Sequence, residues 1–414
     1  MTNRLGVVDE IFLRTHRGLG TPIVLQGLWR TADRVTPAVL EQVHAALRVG
    51  SLGRRVVRPR VPGARPSWRA NDSAHPLRIA ARPLPAAELL DWADLQGSDL
   101  DPEFGPGWRL SATRLDDGGS VVSLTCSHAL ADGRGLTIAV DRALAGAAGV
   151  HGAEIAAAES DWADARRQWS IVLGGTVRAL RRGVPSRPTA PAARVTSAGR
   201  DATCGAVLQV PAADWELVSA AHGGTANSLF VYLVAKMLWD SGFPEPTIDA
   251  SVPVDTRAEP RVDNDMAMTE VTVTRADTPA TLREKCRAAY EHRMSAPSGL
   301  PEELLQVLPE RLAYRLSRGA GERDVLCSNI GALPASLTHL GPHRCTGVAA
   351  RAIHPGLLRS QLPRTRLSAY LSRAAHTYTL ALVSLDPNHI ESAESLRAFA
   401  TATLDSLDLL NTSW

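Results

Sequence analysis

Lysine is nearly absent from this chain: Lys236 and Lys285 are the only two, and arginine supplies the rest of the 45 basic residues. Against 43 acidic residues this leaves a formal charge of +2, so no strong overall field favours a nucleic-acid partner. Cysteine is scarce. Cys126, Cys204, Cys286, Cys327 and Cys345 are odd in number and form no C-x-x-C pair, which argues against a disulfide framework and a structural zinc. Long apolar runs are missing. The longest, SLFVYLVAKMLW from Ser228, is too short to span a bilayer and contains Lys236. The N-terminus, MTNRLGVVDEIFLR, has acidic residues where a signal peptide needs an apolar run. A cytoplasmic protein without a transmembrane segment is expected.

Several catalytic signatures are missing as well. Without a G-x-x-x-x-G-K-[ST] loop or a strict G-x-G-x-x-G, neither of the common phosphate-binding turns is present. No G-x-S-x-G elbow suggests a serine hydrolase of the α/β type, and no H-E-x-x-H suggests a zinc peptidase. No metal site is expected, because His128 and Asp132 would need a third ligand and none lies nearby in sequence.

What is present is an ordinary globular composition, 44% hydrophobic and 21% charged, over 414 residues, long enough for two domains. Strand-like and helix-like stretches follow one another in both halves, as in an α/β layered fold. In the first half, residues 22–31 read as a strand and TPAVLEQVHAALRV from Thr36 as a helix, with Thr36 as N-cap. The Arg- and Pro-rich stretch from Gly53 reads as a solvated face in preference to a phosphate-binding strip. LRIAARPL from Leu77 reads as a strand, PAAELLDWADL from Pro85 as a helix, and Ser160 opens a long helix. Residues 182–200 lose apolar periodicity and hold three prolines, the best linker in the chain. That gives a division into 1–181 and 201–414. In the second half, strands are expected from Cys204, Thr247, Ala267 and Asp324, and as a pair from Thr365 with a tight turn near Arg373. Helices are expected from Pro211, from Thr225 (apolar nearly all round), over 279–295 and 301–318, and over 392–408.

The informative stretch is GSVVSLTCSHALADGRG, starting at Gly119. Val122, Leu124 and Cys126 alternate with Val121, Ser123 and Thr125, a strand of period two, paired as a hairpin across the Asp116–Gly119 turn. It ends at His128. Asp132 and Gly133 follow, and then a helix in which Leu136, Val140 and Leu144 share a face. A histidine at the end of a buried strand is well placed to present a base, although most such residues are structural. An imidazole titrates near neutrality and suits taking a proton from a hydroxyl or amine that attacks a carbonyl. Ser127 precedes His128 directly, and neighbouring strand residues point apart, so these two do not form a triad with Asp132. Asp132 either orients the imidazole or turns away to pair with an arginine; the second role is preferred.

H128-A-L-A-D132-G133 resembles the H-H-x-x-x-D-G signature of the CoA-dependent acyltransferase superfamily, which includes condensation domains, polyketide-associated acyltransferases and wax-ester synthases. GGTANSLFVYLVAKML from Gly223, SVPVDTR from Ser251 followed by Asp263-Asn264, and CSNIGALP from Cys327 resemble further superfamily segments, in the right order. The resemblance implies two chloramphenicol-acetyltransferase-like subdomains forming a V-shaped pseudo-dimer with a central tunnel. It implies His128 as general base, Asp132 in a structural salt bridge with Arg257, and Gly133 permitting close backbone approach. Ser328 and Asn329 would line the tunnel and bind a carbonyl or its oxyanion, or else serve only the local turn. Ser127 stands where the signature has its first histidine, beside the substrate; some members of the superfamily carry only the second. His75, His354 and His376 are given no role. The donor implied is an acyl-CoA or a phosphopantetheinyl carrier-protein thioester, the acceptor a small-molecule hydroxyl or amine, and the protein a monomer with no bound cofactor.

Overall fold

The computed structural model describes residues 3–146, 159–182, 203–291, 300–319 and 321–414. The chain opens with a helix that the sequence did not announce, α1 (Val7–His16). There follow β1 (Val24–Thr31), α2 (Pro37–Val49), a hairpin of β2 (Arg54–Val57) and β3 (Ser67–Ala70), β4 (Arg78–Ile79) and α3 (Leu89–Asp94). The expected hairpin is β5 (Trp108–Arg114) and β6 (Ser120–Ser127); α4 (Gly133–Leu144) and α5 (Asp161–Arg182) complete the first half. The second half holds β7 (Cys204–Pro211), α6 (Ala212–Ala221), α7 (Ala226–Asp240), β8 (Thr247–Asp255), β9 (Met266–Thr274) and α8 (Pro279–Glu291). Next come α9 (Leu304–Val307), α10 (Glu310–Ser317), β10 (Val325–Ala332), β11 (His339–Leu340) and β12 (His343–Ile353). It ends with β13 (Leu367–Ala374), β14 (Thr377–Ser384), α11 (Ala393–Asp405) and β15 (Thr412–Ser413).

Two mixed sheets organise these elements. The first has the order β11-β12-β1-β6-β5-β4 and the second β15-β7-β14-β13-β10-β8-β9. Each is backed by its own apolar core, around Trp108, Leu110 and Leu124 in one and Trp215, Phe230 and Leu229 in the other. β12 belongs by sequence to the second half, yet it pairs antiparallel with β1 of the first, from Val24 opposite Ile353 to Thr31 opposite Cys345. The division 1–181 and 201–414 therefore does not separate the two sheets. Apart from Arg182, the 182–200 linker lies outside the described residues.

Other departures have local causes. The helix expected over 301–318 is two helices, because Leu308 precedes Pro309 and is held extended, with ψ 151°. The strand from Leu77 shrinks to Arg78–Ile79, and the helix from Pro85 is a single 3₁₀ turn leading into the short α3. Thr36 does precede α2 with Pro37 behind it, but its hydroxyl caps nothing. The strand read as buried before His128 is buried on both faces: all eight residues of β6 are inside. Its second face is polar but satisfied: Gln26 Nε2 donates to Ser123 Oγ at 3.0 Å, and Thr125 Oγ1 donates to the Gln96 carbonyl at 3.1 Å. Of the arginines after Gly53, Arg55, Arg58, Arg60 and Arg69 are exposed as expected, and Arg54 and Arg65 are not. Arg54 is half-buried against the Trp68 ring and donates to the Leu130 carbonyl at 2.6 Å, while Arg65 pairs with buried Asp164 at 2.7 Å.

Candidate active site

β6 delivers His128 to the boundary between the two halves. The chain then turns through Ala129–Ala131, all fully buried, and α4 begins. Asp132 is the N-cap: Gly135 N–H donates to its Oδ1 at 2.8 Å. Arg257 Nη2 donates to the same oxygen at 2.7 Å, and Asp265 N–H to Oδ2 at 3.1 Å. Both side chains of the ion pair are almost wholly buried. Burial opposes the charge of Arg257, but Asp132, with Asp255 beside it, outweighs that and holds the guanidinium pKa above its usual value. Asp132 thus faces Arg257 and the β8–β9 loop. It caps a helix and ties the halves together, and it makes no hydrogen bond to the imidazole.

The residue that holds the imidazole is Asn264, in the β8–β9 loop. Its Nδ2 donates to Asp9 Oδ1 and to the His128 carbonyl, each at 2.9 Å. Its Oδ1 therefore faces His128 Nδ1, 3.0 Å away. That arrangement puts the proton on Nδ1 and the lone pair on Nε2. Nε2 has no hydrogen-bond partner among the described residues, and His128 forms part of the wall of a cavity. Phe12 of α1 covers one ring face, with centroids 3.5 Å apart and planes 14° from parallel. Burial disfavours the imidazolium and lowers the His128 pKa from its usual 6.5, against the opposing pull of Asp132 and the Asn264 contact. Asp9 is buried as well, and burial raises its carboxyl pKa despite the hydrogen bonds from Asn264 and Gly6.

The cavity has a volume of about 640 Å³ and is walled by residues from both halves of the chain. His128, Asp132 and Gly133 all reach it, and Ser328 does so from β10. A Cβ on Gly133 would stand 2.7 Å from Ile330 Cδ1. At Gly135 the neighbour is backbone and cannot swing aside: a Cβ would meet the Asp263 carbonyl at 2.9 Å. Two expected wall residues are placed elsewhere. Asn329 points outward, donating to Asn227 Oδ1 at 3.0 Å and accepting from Gly331 N–H at 2.9 Å. Ser127 is buried at the end of β6 and is not part of the wall; its carbonyl accepts from Leu130 N–H at 2.9 Å to form the turn. Both misplacements follow from strand alternation: Asn329 neighbours Ser328, and Ser127 neighbours His128. Of the other histidines, His354 reaches the cavity, with burial lowering its pKa to about 4.

Among the described residues no group of three or more His, Cys, Asp or Glu could hold a metal ion, and no helix is long and apolar enough to cross a membrane.

No family model matches the sequence, and no curated protein does. Solved structures do match. The first condensation domain of the CDA synthetase is 15% identical with a TM-score of 0.61, covering 99% of both chains. A wax ester synthase/diacylglycerol acyltransferase from Marinobacter aquaeolei VT8 is 15% identical with a TM-score of 0.59, covering 98% of both. The epimerization domain from the third module of tyrocidine synthetase B is 14% identical with a TM-score of 0.54, covering 97% of this chain and 96% of that one. At these identities the likeness speaks for architecture alone: this chain has the two-subdomain pseudo-dimer fold that condensation domains share with wax ester synthase.

Proposed function

We propose that the protein transfers an acyl group from a CoA or carrier-protein thioester to a hydroxyl or amine, forming an ester or amide in natural-product or lipid biosynthesis. The observation that carries this reading is the setting of His128: a buried imidazole held through Nδ1 by Asn264, in the wall of a cavity lined by residues of both halves. In the reaction Nε2 takes the acceptor's proton as its oxygen or nitrogen attacks the thioester carbonyl. Ser328, on the wall of the same cavity, is the candidate donor to the tetrahedral oxyanion that forms. Collapse breaks the C–S bond, and the departing thiolate recovers the proton from the imidazolium. Asp132 and Arg257 hold the loop and stay out of the proton path.

The test supplies a panel of acyl-CoA and phosphopantetheinyl thioesters with alcohols and amines, and follows products by mass spectrometry. Turnover should fall by about 10²–10⁴ in His128→Ala. Because burial holds the His128 pKa below 6.5, kcat/KM should be flat near neutrality and decline only at more acid pH. Turnover that survives His128→Ala would overturn the base assignment. No turnover of any thioester would favour the alternative reading, a non-catalytic module that recruits a carrier protein or partner enzyme.

A further inference from the structure

His354 has no part in the reaction described above, yet it leaves the first sheet beside His128. β1 runs between β6 and β12, and Val24 at its start lies opposite Ser127 of β6 and opposite Ile353 of β12. His128 and His354 are the next residues on those two chains. Both strands are antiparallel to β1, so they run the same way and release their histidines at the same end of the sheet. Ser127 and Ile353 are two strand spacings apart, about 10 Å. Both histidines form part of the wall of the one cavity.

The two rings are also set alike. His354 Nδ1 lies 2.8 Å from the Pro22 carbonyl. A carbonyl only accepts, so Nδ1 carries the proton and Nε2 keeps a lone pair. Burial lowers the His354 pKa from 6.5 to about 4, so this neutral form holds at neutral pH. The backbone on either side is fixed against Gly97, where a Cβ would stand 3.0 Å from Ile353 Cδ1 and 3.2 Å from Pro355 Cγ. Nε2 is buried and has no hydrogen-bond partner among the described residues. A buried acceptor that meets neither water nor a donor is unfavourable, and such groups are nearly always paired. The protein thus holds an acceptor at a fixed place in the cavity wall and supplies no donor to it. A neutral acceptor nitrogen selects a hydroxyl or an amide N–H. An ether, carboxylate or phosphate oxygen at the same place would set lone pair against lone pair.

We propose that His354 Nε2 accepts a hydrogen bond from a neutral O–H or N–H group of a substrate, held on the order of 10 Å from the reacting carbonyl. The proposal rests on the acyl-transfer reading for which substrate this is: the thioester, through an amide of its pantetheine arm, or the acceptor, through a second hydroxyl. Binding itself needs no turnover. Calorimetry measures pantetheine, and separately α,ω-diols from butane-1,4-diol to decane-1,10-diol beside the matching mono-alcohols, on wild type and His128→Ala. The same probes are measured on His354→Leu, which has no acceptor, and on His354→Gln, which restores one. His354→Leu should weaken pantetheine, or the diols relative to the mono-alcohols, by about tenfold or more, and His354→Gln should recover part of that. A loss for pantetheine assigns the contact to the donor; a loss for the diols alone assigns it to the acceptor. Should His354→Leu not fold, wild type still decides, because pantetheine methylated at its amide nitrogens, or the ω-methyl ethers of the diols, should bind more weakly by the same factor. Probes that bind wild type and His354→Leu equally, or a loss shared by diols and mono-alcohols with none for pantetheine, would overturn the proposal and leave His354 as a tie to Pro22. The predicted binding differences in a protein that turns over no thioester would uphold the contact and sink the acyl-transfer mechanism; turnover lost in His128→Ala without those differences would do the reverse.

Discussion

Asn264→Ala tests the arrangement around the base most directly. The substitution removes one acceptor and two donated bonds: Oδ1 to His128 Nδ1 at 3.0 Å, and Nδ2 to the His128 carbonyl and Asp9 Oδ1 at 2.9 Å each. Asp9 Oδ1 keeps the backbone N–H of residue 264, at 3.2 Å. Two buried groups of His128, its Nδ1–H and its carbonyl, lose their partners. Each orphaned group costs about 1–3 kcal/mol, so a stability loss of about 2–6 kcal/mol is expected, at the low end where water enters from the cavity. Activity should fall by another route. With no acceptor at Nδ1, the tautomer with its lone pair on Nε2 is no longer selected and the ring is free to shift. A displacement on the scale of 1 Å costs about 10²-fold in rate. Urea unfolding gives the first quantity, and release of free thiol from the best thioester gives the second. Asn264→Ala within about 0.5 kcal/mol of wild type and within a few-fold in kcat/KM, alongside an inactive His128→Ala, would show that the imidazole needs no clamp.

Arg257→Ala leaves the buried Asp132 carboxylate with only its two backbone donors, a loss of about 3–5 kcal/mol by the usual cost of halving a buried pair; the urea midpoint measures it, and a change below about 1 kcal/mol would contradict the burial seen for the pair. Glu10 should give stability an unusual pH dependence. Burial raises its carboxyl pKa from 4.5 to about 7, so between those values the folded protein holds a proton that the unfolded chain does not. Its contribution is therefore lost as pH rises through 7, and Glu10→Gln should gain stability relative to wild type from pH 5 to pH 8; no change in that difference across the range would count against the burial. All five thiols are shielded, with burial pushing Cys126, Cys204 and Cys345 up to about 12 and Cys286 up to about 11, and Cys327 up as well. Iodoacetamide at pH 8 should therefore modify native protein much more slowly than urea-unfolded protein, followed by intact mass.

The parts of the site legible in the sequence are those that a local pattern encodes. The β5–β6 hairpin, His128 at its end, Asp132 before α4 and the apolar face of α4 all lie between Trp108 and Leu144, and period and capping place them. The ion pair of Asp132 with Arg257 spans 125 residues; only the resemblance of SVPVDTR to a superfamily segment pointed to it. The clamp on His128 was not legible. Asn264 was visible beside Asp263, but nothing in sequence says that an amide 136 residues away will face an imidazole. Asp9, 255 residues from Asn264, gives no signal at all, since acidic residues in a first helical turn are commonplace. β12 escaped for another reason. Strands are recognised by β-branched and aromatic residues, and GVAARAI offers Gly347 and three alanines in their place.

Those small residues and the site are connected. β12 reaches across from the second half to pair with β1, and its residues Val348 to Ala352 line the cavity. A strand built of valine and phenylalanine would have been easier to recognise and would have taken up room in the cavity. His128 follows β6 of the first sheet, and Asn264, which holds it, and Arg257 come from the β8–β9 region of the second. Neither half alone holds His128 in the tautomer that leaves Nε2 free, since Asn264 must arrive from one side and Phe12 and Asp9 from the other. The chemistry is thus a property of the seam. A crossing strand with little side-chain bulk lets the chain close that seam covalently and by hydrogen bonds while keeping a space open inside it.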